Sequence, residues 1–201
     1  MSSIAWWSWG AGWIERSALL PFPTPPGDRL YSPVTMPNQL QSRAEFVASL
    51  PRKRMAAGVL VMDGSGRVLV VKPTYRDGWL IPGGAVEADE APSETCRREV
   101  AEELGIALPV GRLLCMEYLP AYDDLTESVQ LIFDGGVMAD SVFQRLCLPP
   151  DELSEARFAP AEEAGRLLNP RLAVRAAYAL DALKTGTVHY LEDGRPVASN
   201  P

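Results

Sequence analysis

The sequence is poor in the residues from which many catalytic and redox sites are built. Its 201 residues include one histidine, His189, and three cysteines, Cys96, Cys115 and Cys147. A single histidine excludes a His-rich metal site, and its place in the expected terminal hairpin argues against a His-based catalytic triad. The cysteines show no C-x-x-C or paired spacing, so they read as buried thiols of a reducing cytosol, not as disulfides or zinc ligands. Positive charge is also short. Nineteen Lys and Arg face 26 Asp and Glu, a net charge of −7, which argues against a protein that tracks a nucleic-acid backbone. No run of 18 or more apolar residues predicts a membrane span. The start carries no basic segment of a signal peptide, and no internal repeat is present. With 47% hydrophobic residues, what remains fits a cytoplasmic globular protein, with length for one full core plus extensions.

The first 50 residues are unlike the rest. Trp6, Trp7, Trp9 and Trp13 are four of the five tryptophans, and Pro21, Pro23, Pro25 and Pro26 then block regular structure. Three readings are open: a flexible extension, aromatics packed on the domain or on a partner such as a second copy in a homodimer, or upstream sequence with Met36 as the natural start. Residues 39–50 predict a short amphipathic helix leading into the domain.

From there the pattern reads strand Met55–Met62, a turn at Asp63-Gly64-Ser65-Gly66 and a returning strand Arg67–Lys72. A polar loop, residues 73–78, leads to a short strand at Trp79-Leu80-Ile81 and a turn at Pro82-Gly83-Gly84. Further strands are predicted over Ala107–Leu119, Glu127–Met138, Phe143–Cys147 and Glu152–Phe158. Helices follow over Pro160–Leu168 and Pro170–Lys184, and residues 185–197 read as a terminal hairpin or tail around Asp193-Gly194. Strands and helices mix without a βαβ rhythm, which argues against a Rossmann fold.

The informative stretch is Gly84–Ile106. Pro92 suits a first helical position, Glu94 the first turn, and Gly105 a left-handed stop, so a helix is predicted over Pro92–Leu104. Glu99, Glu102 and Glu103 fall at i, i+3, i+4 on one face of it. Cys96, Val100 and Leu104 make an apolar stripe about a quarter turn away. Three carboxylates beside a core repel one another, and a hard cation such as Mg²⁺ or Mn²⁺ would remove that cost. The bland alternative is a solvated acidic face.

The wider pattern is far more specific. Gly84, then Glu90, then Arg98-Glu99-Val100-x-Glu102-Glu103-x-Gly105-Ile106 reproduces a complete Nudix box. Seven fixed identities and two apolar positions would coincide on the order of once in 10⁹ windows at average composition. The chain therefore resembles the Nudix hydrolases over roughly residues 52–184. The resemblance implies an α/β/α sandwich around a mixed β-sheet, an extension at residues 1–50, the hydrolase domain at 51–185 and a tail at 186–201. It also implies metal-dependent cleavage of a nucleoside diphosphate linked to a moiety X.

Phosphoanhydrides repel nucleophiles, and cations on their oxygens neutralise that charge. The resemblance makes Glu99 and Glu103 the firmest ligands, with Glu102 alongside, Glu90 more peripheral and a carbonyl of Gly83 or Gly84 as a further oxygen. Arg98 would orient the carboxylates by pairing with Glu102 and Glu90. The general base stays open among Glu99, Glu102 and acids outside the box, Glu152 and Glu155. For the substrate, Trp79 could stack a base or simply pack in the core, and Lys72 and Arg76 could meet phosphates or only solvent. Pro120 and Tyr122 resemble markers of two different substrate groups, ADP-ribose and dinucleoside polyphosphates. His189 is expected to be non-catalytic. A non-catalytic nucleotide-binding protein on this scaffold would usually have lost box carboxylates, and none is missing. An isoprenyl diphosphate isomerase would need a reactive cysteine in the pocket, whereas Cys96 falls on the apolar stripe.

Overall fold

A computed structural model describes residues 42–197. The expectations for the tryptophan-rich segment, its part in a homodimer and Met36 as the natural start lie outside those residues. The chain divides into two units, Met1–Ser49 and Leu50–Pro201. In the first, the described part is a helix, α1 (Arg43–Ser49), begun by a reciprocal cap. Ser42 N–H donates to the Glu45 carboxylate at 2.7 Å, and Glu45 N–H to Ser42 Oγ at 3.3 Å.

The second unit runs β1 (Arg54–Met62), β2 (Val68–Pro73), β3 (Gly83–Ala85), α2 (Pro92–Leu104), β4 (Leu113–Leu119), β5 (Ser128–Val137) and α3 (Asp140–Phe143). It continues with β6 (Leu153–Ala159), α4 (Ala161–Leu167), α5 (Pro170–Thr185), β7 (His189–Glu192) and β8 (Arg195–Pro196). The strands form one mixed sheet in the order β6-β2-β1-β5-β4-β7-β8, with β1/β5 and β4/β7 parallel. Alternation along the strands explains the layers. In β1 and β2, Val59, Val61, Leu69 and Val71 face the side that holds Cys96, Val100 and Leu104 of α2. Leu60, Val68 and Val70 face the side that holds Leu172, Ala176 and Ala179 of α5. This is the expected α/β/α arrangement around a mixed sheet.

β1 has β5 along one edge. Its other edge is divided: β2 pairs at Met62↔Val68, and β3 takes over at Ala56–Gly58. β3 is where sequence reading fell short, since Pro82-Gly83-Gly84 read as a turn and the strand was expected at Trp79–Ile81. Trp79 and Leu80 make only isolated bridges, to Leu168 and Val71. The strand exists because β1 offers it an open edge, a tertiary circumstance that local propensity does not carry. Gly83 has φ +146°, and a Cβ there would overlap the backbone of Ala57 and Gly58.

Two further expectations are corrected. The strand predicted over Ala107–Leu119 starts only at Leu113, the preceding residues being a connection that covers the α2 core with Leu108 and Val110. The segment Phe143–Cys147 is no strand. α3 ends at Phe143, and Phe143, Leu146 and Leu148 pack from a loop, so apolar spacing there reflects burial under a connection.

The terminal hairpin forms as expected, and it is fastened from inside. Glu117, fully buried on β4, accepts from Arg175 Nη1 of α5 at 2.5 Å and from Gly194 N–H in the β7–β8 turn at 2.6 Å. A buried ion pair is costly to break from one side, because the survivor stays desolvated. Arg175→Met is therefore expected to lower stability by about 3–5 kcal/mol in urea unfolding. The double change Glu117→Leu/Arg175→Met should recover most of that loss, and equal destabilisation by both would contradict it.

Candidate active site

The helix α2 forms as predicted and ends where predicted. Pro92 opens it, and Gly105 closes it at φ 69° with its N–H on the Ala101 carbonyl. Its three carboxylates are unequal. Glu103 is only 7% exposed, and the side chains of Glu99 and Glu102 are 16% and 54% exposed. A single acidic face thus becomes a gradient from core to solvent.

β3 lies against this gradient. Gly83 N–H donates to Glu103 Oε2 at 3.1 Å. A Cβ on Gly84 would run into the Glu99 carboxylate, so glycine there is what lets the strand backbone reach the helix acids. Burial is the main force on Glu103, pushing its pKa up to about 8. The charges of Glu99, Glu152 and Glu102 add to this, and the Gly83 hydrogen bond opposes it. Glu99 is also raised, by burial first, against the pull of Arg98.

Arg98 organises the outer half. Its Nε and Nη2 grip Glu90 at 2.9 and 3.1 Å, and Nη2 also donates to the Ala85 carbonyl at 3.2 Å. Its Nη1 reaches Glu102 at 3.1 Å, as spacing predicts, and Glu99 at 2.8 Å, which spacing did not predict. Glu90 is held down to about 2 chiefly by Arg98, then by Thr95 Oγ1 and Glu87 N–H. Glu90 therefore ties the loop to the helix through Arg98. Among the described residues no three His, Cys, Asp or Glu side chains already stand together as a metal cage. The donor set still fits a hard cation. Glu99 and Glu102 share one guanidinium nitrogen of Arg98, and the buried Glu103 on the same helix face is forced toward its neutral form.

A cavity of about 370 Å³ opens beside Gly83, Gly84 and Ala85 and runs between the sheet and α5. Tyr122 and Arg76, both named from sequence, line it. Arg54, Arg171 and Arg175 line it too and were not foreseen. The i, i+4 spacing of Arg171 and Arg175 on α5 was the available signal, but only the fold shows which way that face looks.

Other candidates are not brought to this site. Trp79 packs against the α5-side core under the Arg157 guanidinium, 4.9 Å from its ring centre, so it is engaged in structure. Lys72 pairs with Glu155 across β2 and β6 and lines a separate shallow depression, where Arg76 also reaches. Glu155 sits 3.8 Å from Arg157, and Arg157 is salt-bridged to Glu163 of α4, so Glu155 stands on the sheet face opposite α2. Glu152 is the acid whose charge is felt at both Glu99 and Glu103. His189 binds Asp181 at 2.8 Å beside the Tyr178 ring. Cys96 and Cys115 are buried with thiols pushed up to about 12 by burial, but Cys147 is exposed, contrary to expectation, because its loop lies on the surface.

The raised Glu103 pKa has a stability consequence. The folded, metal-free protein holds a proton that the unfolded chain releases near 4.5. Its contribution is full below that pH and is lost as pH rises toward about 8. The melting temperature of chelated protein should fall by several degrees more between pH 5 and 8.5 than that of Glu103→Gln. A divalent cation should cancel the difference at pH 8.5, and parallel pH curves without metal would contradict it.

Comparison with known proteins agrees with this geometry. The family model described as the NUDIX domain matches residues 52–183. A MutT-like protein of Streptomyces ambofaciens is 37% identical over 121 residues, 57% of this chain and 75% of that protein. An RNA pyrophosphohydrolase of Halorhodospira halophila is 42% identical over 53 residues, 26% of this chain and 29% of that enzyme. The crystal structure of the MutT protein from Methanosarcina mazei Go1 superposes with a TM-score of 0.54 at 22% identity, covering 68% of this chain and 99% of that one. With the box complete, its helix acids against the β3 glycines and the family model matched over residues 52–183, this chain belongs to the NUDIX family.

Proposed function

We propose that the protein hydrolyses the diphosphate linkage of a small nucleoside diphosphate derivative and depends on Mg²⁺ or Mn²⁺. The observation that carries this reading is the meeting of Glu99 and Glu103, Glu102 beside them on α2, with the Gly83–Gly84 strand, which itself lines an arginine-bordered cavity. A cavity of about 370 Å³ suits a small molecule, and the net charge of −7 argues against a nucleic-acid polymer.

Glu99, Glu102 and Glu103 would hold the cation, with the Gly83 or Gly84 carbonyl as a further oxygen. Bound there, it would neutralise the anhydride oxygens and acidify a water. Glu103 would give up its proton on taking the cation. Arg98, braced by Glu90, keeps Glu99 and Glu102 from repelling each other into solvent. For the general base, Glu152 is favoured over Glu155. Its charge reaches Glu99 and Glu103, while Glu155 stands on the other face of the sheet.

The deciding experiment is phosphate-linkage cleavage across ADP-ribose, diadenosine polyphosphates, nucleotide sugars, NADH and nucleoside triphosphates, each with Mg²⁺, Mn²⁺ or chelator. Chelator-sensitive turnover of at least one member is expected. Metal binding without turnover on any of them would favour the non-catalytic nucleotide-binding alternative. Glu103→Gln should abolish metal-dependent turnover with the fold intact by circular dichroism. Glu152→Gln should lower kcat about 10²–10⁴-fold and Glu155→Gln should not. Equal effects of the last two would remove Glu152 from the role of base.

A further inference from the structure

The charged residues lining the cavity are all of one sign. Arg54, Arg76, Arg171 and Arg175 border it, and among the described residues no aspartate or glutamate does, in a chain whose net charge is −7. Two of the four guanidinium groups are committed. Arg175 is bound to the buried Glu117 at 2.5 Å. Arg54 donates to Thr126 Oγ1 at 3.0 Å and to the Thr126 carbonyl. Arg76, on the loop after β2, makes no hydrogen bond or ion pair with any described residue.

Arg171 is held in place but not satisfied. Its guanidinium lies over the Tyr122 ring, 4.4 Å from the centre. Its Nη1 is 3.2 Å from Asp193 Oδ1, yet that nitrogen is shut off from solvent and makes no hydrogen bond. Asp193 cannot easily follow it. The residue sits in the β7–β8 turn at φ 47°, with its own N–H on the Tyr118 carbonyl at 3.0 Å and the next N–H on Glu117. The first turn of the 16-residue helix α5, capped by Asn169, borders the same space and adds its positive end.

In the proposed hydrolysis the glutamates and a bound cation would answer the charge of the scissile anhydride across the Gly83–Gly84 strand. Arg76, and Arg171 with its unsatisfied Nη1, remain for charge elsewhere on the substrate. We infer that Arg171, with Arg76, recognises a second anionic group, a phosphate or carboxylate carried outside the scissile diphosphate. It is a specificity-determining residue for substrates that bear one. This deepens the proposed hydrolysis and rests on it for where the anhydride lies.

The plain alternative is that Arg171 only braces the terminal hairpin through Asp193. The two roles separate in matched substrates that differ by anionic charge: NADH and NADPH, UDP-glucose and UDP-glucuronate, diadenosine diphosphate and tetraphosphate. The wild-type protein should favour the more anionic member of at least one pair by about tenfold in kcat/KM, mainly through KM. Arg171→Gln should bring that ratio close to one, and Arg171→Lys should restore part of it. Asp193→Asn, which frees Arg171 from its neighbour, should keep or raise the ratio, whereas a bracing role would make it behave like Arg171→Gln. A wild-type ratio near one in all three pairs would overturn the inference, as would a ratio unchanged in Arg171→Gln. Calorimetric binding of the same pairs to the Mg²⁺-loaded protein reads the preference without turnover. Failure of hydrolysis and failure of this recognition therefore give different results.

Discussion

Everything at the active site depends on how closely a strand can approach a helix. At Gly83 and Gly84 the β3 backbone lies where side chains would collide with β1 on one side and with Glu99 on the other. That approach brings the Gly83 N–H onto Glu103 and roofs the helix acids. Without it, the glutamates of α2 would be a solvated surface. With it, one of them is buried deeply enough to resist ionisation.

The helix and the common face of its glutamates were legible because each signal is local. Pro92, Gly105 and the i, i+3, i+4 glutamates need only helical geometry to be read. The same is true of the Asp63–Gly66 hairpin, where the Asp63 carboxylate accepts from Ser65 N–H, Ser65 Oγ and Arg67 N–H. The burial gradient along the acidic face was not legible, since it depends on how β3 covers the helix. β3 itself went unread for a related reason. A three-residue strand of Gly-Gly-Ala has no propensity, and only the edge left open by β1 makes it one.

The substrate side was hidden by the same logic at longer range. Trp79 was open between stacking a base and packing in the core, and what decides for packing, its partner Arg157, lies 78 positions along the chain, on β6. Arg171 and Arg175 were not singled out within the predicted Pro170–Lys184 helix. Which helical face meets the cavity is settled by the packing of α5 on the sheet, through Leu172, Ala176 and Ala179. Glu155 and Glu152, three residues apart, were equivalent on paper. Strand alternation sends Glu155 to the far face, and the turn leaves Glu152 near the glutamates.

The Glu117 carboxylate gives this fold a schedule as well as a fastening. It is made on β4, but its two partners follow 58 and 77 residues later in the chain. During synthesis the emerging sheet must therefore carry an unpaired acid at a position destined for the interior until α5 and the hairpin turn have left the ribosome. The wall of the cavity that contains Arg175 cannot close before then. A partly made chain thus has the glutamate helix in hand well before it has the residues that complete this cavity wall.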